Sequence, residues 1–130
     1  LDEEKLAKVF LKAVKLIDKS EETFRYKKGH TNKKVFLSEI IYFEASNREV
    51  IMHTDSGTDI FYGKLKGIYP ELQKHGFFFC HKSFLVHYDK VRIFETTQLT
   101  MHNGDVIPIS QGQRKAVKEL QLERERNSLV

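Results

Sequence analysis

The sequence predicts a mostly-β fold with a helix leading it and another closing it, and three observations carry that expectation. From Phe24 onward, apolar residues fall in short runs broken by turn residues roughly every eight to twelve positions, the pattern of a sheet assembly. Asn103-Gly104 lies between two such runs, the strongest short-range hairpin signal a sequence offers. Residues 2–19 break the pattern, because Leu6, Val9, Phe10, Ala13, Leu16 and Ile17 recur at helical steps of three and four.

In chain order, residues 2–19 read as one amphipathic helix, serving as a connector or packing element and ended by Ser20-Glu21-Glu22-Thr23. Residues 24–28 and 34–37 flank Gly29-His30-Thr31-Asn32 and read as a hairpin with that loop. Ile40-Ile41-Tyr42-Phe43 suits a buried strand, followed by the turn Ser46-Asn47-Arg48. A strand over residues 50–54, a turn over 55–58 and a strand over 60–62 come next. Leu65, Ile68 and Leu72 place a short helix within residues 64–74, weakened by Gly67 and Pro70. Phe84-Leu85-Val86 is an apolar strand with the donor-rich trio His81-Lys82-Ser83 at its mouth. Strands over residues 91–94, 99–102 and 105–109 follow, the last two joined by Asn103-Gly104. Ser110 is positioned to cap a final helix over residues 113–126 that carries Val117, Leu120 and Leu122.

Size and composition narrow the function. At 130 residues the chain holds one domain with at most one appendage, and 40% hydrophobic with 31% charged residues makes it globular. No apolar stretch approaches the roughly 20 residues of a membrane-spanning helix, and the acidic start does not read as a signal peptide. A lone cysteine, Cys80, excludes an internal disulfide and fits a reducing cytoplasm. The net charge of +4 is unevenly spread: residues 24–37 hold Arg25, Lys27, Lys28, Lys33 and Lys34 and no acidic residue. That patch reads either as a solvated hairpin or as a phosphate-binding surface.

Enzyme chemistry finds no footing. The chain lacks a phosphate-binding glycine loop, a Gly-x-Ser-x-Gly elbow and a His-Glu-x-x-His pair. Cys80 and His81 are adjacent, so a strand would point them to opposite faces. The six histidines never fall at helical ligand spacing, and neither a metal nor a cofactor is expected. Most aromatic residues, among them Phe36, Tyr42, Phe43, Phe61, Phe84 and Phe94, sit in apolar runs and read as core; Tyr26 and Tyr88 do not. A βαββαβ RNA-binding order is absent, which disfavours a single-strand or RNA binder.

Duplex DNA suits the polar residues better. Donors cluster at three turns: Ser46-Asn47-Arg48, His81-Lys82-Ser83 and Ser110-Gln111-Gly112-Gln113-Arg114. Arg and Lys suit guanine edges, Asn and Gln suit adenine, and Ser and Lys suit phosphates. A shared edge would make them a row of readers on a rigid scaffold, whereas scattered placement would leave ordinary polar turns.

The segment Phe77-Phe78-Phe79-Cys80-His81-Lys82-Ser83-Phe84-Leu85-Val86-His87 resembles the signature of LytTR domains, the mostly-β DNA-binding modules of bacterial response regulators. Phe79 stands where that family usually has Arg, and His87 where it usually has Asn. The blocks Leu37 to Ala45, Phe61-Tyr62-Gly63-Lys64-Leu65, Asn103-Gly104 and Ile107-Pro108-Ile109-Ser110 are similar to the family's in order and spacing. The Phe-Tyr-Gly-Lys-Leu form resembles regulators of peptide-pheromone (quorum-sensing) signalling. The resemblance implies an elongated β-sheet assembly over residues 23–126, a linker helix over 1–22 and a tail over 127–130.

It also implies loops entering successive major grooves, as the output half of a two-component transcription regulator. Asn47, Arg48, Lys82, Gln111, Gln113 and Arg114 are the implied readers, with Arg48 and Lys82 foremost for base contacts. His81, Ser83 and Ser110 are implied supports or phosphate contacts, and Lys27, Lys28, Lys33 and Lys34 are candidate backbone contacts. Gly112 stands where relatives often carry a larger polar residue, and the Arg missing at Phe79 removes a scaffold or phosphate contact. The implied partners are direct-repeat duplex sites, a second copy on DNA, and an upstream receiver domain outside this chain. The alternative is a protein-interaction module whose leading helix docks on a partner and whose basic hairpin only solubilises.

Overall fold

The computed structural model describes residues 22–128, so the helix expected over residues 2–19 lies outside the described residues. Within them the chain is mostly β, with three antiparallel sheets. Strands β1 (Thr23–Lys28) and β2 (Thr31–Phe36) form a hairpin. Strands β3 (Ile40–Ser46), β4 (Glu49–Thr54), β5 (Gly57–Tyr62), β6 (Phe77–His81) and β7 (Phe84–His87) form a five-stranded sheet in the order β5-β4-β3-β7-β6. Strands β8 (Val91–Phe94), β9 (Gln98–Met101) and β10 (Val106–Pro108) form the third sheet. Helix α1 (Leu65–Gln73) joins β5 to β6, and α2 (Arg114–Ser128) closes the fold.

Alternation along the central strands builds a core on each face of the five-stranded sheet. Leu85 of β7 packs with Phe24, Phe43, Phe61, Leu65, Leu72 and Phe77 beneath the hairpin and α1. Its neighbour Val86 packs with Ile41, Cys80, Leu99, Met101, Ile107 and Val117 beneath the three-stranded sheet and α2. A bulge between Ile40 and Tyr42 turns two successive residues of β3 to one face, so that Ile41 and Tyr42 both join the second core while Ile40 and Phe43 join the first. The molecule is therefore layered: hairpin, five-stranded sheet, three-stranded sheet.

Several local expectations are corrected. The first hairpin turns on Gly29-His30 alone, because Gly29 takes a φ of 62° and Thr31 and Asn32 already pair in β2. Phe36 is 45% exposed and is not core. Asn103-Gly104 lies in a four-residue connection between β9 and β10, not a two-residue turn. There the Asn103 side chain accepts the Asp105 N–H at 3.0 Å, a local bond that competes with the ladder. Ser110 makes no side-chain cap; a 3₁₀ turn (Gln111–Gln113) opens the last helix, which starts at Arg114 and runs to Ser128. Pro70 sits inside α1 and not at its start, so one internal hydrogen bond is missing from a helix that packs through Leu65 and Leu72.

The two tyrosines outside the apolar runs turn out to be anchors. Tyr88 donates its hydroxyl to the Leu120 carbonyl at 3.3 Å, and the Arg124 guanidinium, 4.5 Å over the Tyr88 ring, bonds the Tyr88 and Val91 carbonyls. These contacts strap α2 across the start of β8. Tyr26 donates to Asp59 of β5 at 2.5 Å, and Lys28 and Lys33 converge on the same carboxylate. Hydrogen bonds from Lys28 and Tyr26 hold the Asp59 carboxyl well below the usual range, while burial and that neighbour push the Tyr26 phenol up to about 12.

A carboxyl depressed in the folded state stabilises the fold above its unfolded value of 3.8, and that contribution is lost as pH falls further. Urea unfolding is expected to show stability dropping between about pH 5 and pH 2 more steeply in the wild type than in Asp59→Asn. Parallel pH profiles would remove Asp59 from this role.

Candidate nucleic-acid interface

The strands of the five-stranded sheet bring their polar turns to one edge. Asn47-Arg48 is a two-residue turn between the paired residues Ser46 and Glu49, with Asn47 at a φ of 57°, a conformation that asparagine tolerates. Lys82-Ser83 is the turn between His81 and Phe84. Because β3 lies beside β7, the two turns are neighbours, and the Ala45 N–H donates to the Ser83 carbonyl at 2.8 Å. The third turn is tied in from the next layer, where the Ser110 N–H donates to the Cys80 carbonyl at 2.9 Å. Arg48, Lys82, Gln111 and Arg114 are exposed, and among the described residues none of Arg48, Lys82 and Arg114 forms an ion pair.

The edge thus unites Asn47, Arg48, Lys82, Ser83, Ser110, Gln111 and Arg114 in a row that crosses two layers. Gln113 is half-buried beside it, its N–H bonded to the Ser110 carbonyl at 2.9 Å. The hairpin lysines stand in another layer, and they divide: Lys28 and Lys33 turn inward to Asp59, while Lys27 and Lys34 do not. Among the described residues no group of His, Cys, Asp and Glu could hold a metal ion, and no helix is long and apolar enough to cross a membrane. Burial pushes the Cys80 thiol up to about 12, so its thiolate is negligible near neutrality.

A family model for the LytTr DNA-binding domain matches residues 30–121, most of the chain. This chain belongs to the LytTR family. Among solved structures it is similar to a LytTr DNA-binding domain from Bacillus cereus at 24% identity, with a TM-score of 0.65 over 76% of this chain and 95% of that one. That likeness establishes the fold, mostly β with a short helix and a C-terminal helix. No curated protein is similar enough to this chain to count as a match.

Both departures from the LytTR signature have structural accounts. Phe79 packs its ring 4.9 Å from Tyr69 of α1, so an apolar contact stands where Arg is usual. His87 is buried, stacks 4.3 Å from Phe77 and pairs Nδ1 with the Ile40 carbonyl at 3.0 Å. One edge residue went unread in the sequence. Lys64 is exposed and free of ion pairs among the described residues, and it follows Gly63, whose N–H donates to the Arg48 carbonyl at 3.1 Å. The only local signal for it was a lysine after a glycine at a strand end.

His81 has a defined duty at this edge. Its Nδ1 accepts the Ser83 N–H at 3.1 Å, which requires an unprotonated Nδ1 and so places the neutral ring's proton on Nε2. The ring therefore braces the turn that carries Lys82. His81→Asn, whose oxygen can accept the same N–H, is expected to retain DNA affinity within about threefold, while His81→Gln loses tenfold or more. The reverse ranking in an anisotropy titration would make His81 a direct contact through Nε2.

Proposed function

We propose that this LytTR domain reads duplex DNA through the row of loops along the shared sheet edge, with no recognition helix. The observation that carries the reading is the pair of backbone hydrogen bonds, Ala45 to Ser83 and Ser110 to Cys80, that sets three donor-rich turns side by side. Arg48 and Lys82 are the base readers, presented on two-residue turns too short to flex away. Asn47, Gln111, Gln113 and Arg114 complete the base-edge set. Ser83, Ser110 and Lys64 meet phosphates, His81 supports Lys82, and Lys27 and Lys34 are further backbone candidates.

The scale is compatible with more than one groove. Two strand spacings and the one hydrogen-bonded step from Cys80 to Ser110 separate the outer turns by roughly 15 Å, before extended side chains are added. One duplex turn spans about 34 Å. In this reading residues 23–126 are the DNA-binding unit and residues 1–22 a linker. Upstream stands a receiver domain whose activation pairs two copies on direct repeats in the bacterial cytoplasm. Control of quorum-sensing genes fits the Phe61-Tyr62-Gly63-Lys64-Leu65 block.

Few loops touch the duplex, so the isolated domain is expected to bind moderately and with steep salt dependence. Arg48→Ala and Lys82→Ala are each expected to cost about 1–3 kcal/mol and to relax preference at one base position. Anisotropy titrations on selected and scrambled duplexes across a salt series measure this. Equal weakening on both duplexes would exclude base reading, and salt-insensitive indifference to DNA would favour a protein-interaction module.

A further inference from the structure

One aromatic ring at the Arg48 end of the row has no partner within the fold. Tyr62 is the last residue of β5 and pairs with Glu49, the residue after Arg48. The next residue, Gly63, donates its N–H to the Arg48 carbonyl at 3.1 Å, which ties the end of β5 to the Asn47-Arg48 turn. Tyr62 is nonetheless 79% exposed, the most of any large hydrophobic side chain among the described residues.

The other four tyrosines are all engaged. Tyr26, Tyr42 and Tyr88 donate their hydroxyls to Asp59, Asp105 and the Leu120 carbonyl, and Tyr69 packs its ring against Phe79. Among the described residues Tyr62 makes neither a hydrogen bond nor a ring contact. Strand alternation sends Phe61 into the core beneath the hairpin and Tyr62 to the opposite face, beyond the cover of the three-stranded sheet.

This position extends the row of turns by one strand. In the order β5-β4-β3-β7, Tyr62 lies past Arg48 as seen from Lys82. Neighbouring strands are about 4.8 Å apart, which is one to two base-pair steps of about 3.4 Å. A duplex lying along the row, with Arg48 at one base pair, would bring the ring to a base pair one or two steps farther from Lys82.

A phenol there could meet a phosphate through its hydroxyl or a base through its ring, and the neighbouring side chain decides between them. Glu49 stands directly opposite Tyr62 on the same face and forms no ion pair among the described residues. An uncompensated carboxylate repels a phosphate but not a methyl group. In the major groove the apolar base edge is the C5-methyl of thymine. We infer that Tyr62 is a further specificity residue, whose ring packs on the C5-methyl of a thymine one or two base pairs beyond the pair that Arg48 reads. This inference rests on the loop row being the DNA reader.

The test replaces each thymine on the Arg48 side of a selected duplex, one at a time, by deoxyuridine, which removes only the methyl group. The whole chain is titrated by anisotropy as wild type, Tyr62→Phe and Tyr62→Ala. Loss of one methyl, one or two steps beyond the position relaxed by Arg48→Ala, is expected to weaken wild-type binding about three- to fourfold. Tyr62→Phe should keep that sensitivity, because the ring suffices. Tyr62→Ala should bind the thymine duplex more weakly and no longer distinguish it from the deoxyuridine one. Its retained preference at the Arg48 base pair would report an intact reader. Three results would overturn the contact: no methyl-sensitive thymine on that flank, equal sensitivity in wild type and Tyr62→Ala, or a loss in Tyr62→Phe equal to that in Tyr62→Ala. The last would make the hydroxyl, and so a phosphate, the partner. Equal wild-type binding to selected and scrambled duplexes would instead overturn the loop row, and the inference with it.

Discussion

The strands β3, β7 and β6 of the five-stranded sheet are buried on both faces, and the rest of the structure depends on that constraint. Leu85 and Val86 are adjacent on β7 and both fully buried, one in each core. A sheet apolar on both sides has to be covered twice, so the hairpin with α1 closes one face and the three-stranded sheet with α2 closes the other. Once those strands are packed on both faces, it is their ends that remain for recognising anything else. The turns at one of those ends became the candidate interface.

The same constraint explains why short turns can act as rigid readers. Two of the donor-rich turns cap pairs of strands whose side chains are locked in core, the third joins β10 to α2, and neighbouring turns are cross-tied by backbone hydrogen bonds of 2.8 to 3.1 Å. Little conformational entropy remains to be lost when such a loop meets a ligand. The straps elsewhere serve the layers and not the site: Arg124 fastens α2 to β8, and Tyr42 donates its hydroxyl to Asp105 at 3.0 Å, tying the β9–β10 connection to the central sheet. Burial and the Asp105 carboxylate push the Tyr42 phenol up, which keeps it a neutral donor.

Polar side chains divide between these duties in a way composition does not reveal. Of five cations in the first hairpin, two are spent on Asp59 and three face solvent, and the division follows strand parity alone. His81 and His87 lie six positions apart, yet one braces an exposed turn and the other stacks inside the core. Identical residue types acquire different chemistry from which face they are given.

Local physics was legible in the sequence. Period-two apolar runs located the strands, the helical step located α1, and the Phe77–His87 motif with its companion blocks identified the LytTR family. The errors were also local in kind. Phe36 ends an apolar run but lies beyond the core's reach, and Ser110 was matched to a cap that the intervening 3₁₀ turn displaces. The sequence by itself determined strand content, family and the identity of the donor-rich turns, because these rest on spacing between near neighbours. Which turns share an edge, which lysines are already paired, and that Lys64 stands beside Arg48 were decided only in three dimensions. Strand order and layer stacking join residues tens of positions apart, and no local period encodes that pairing.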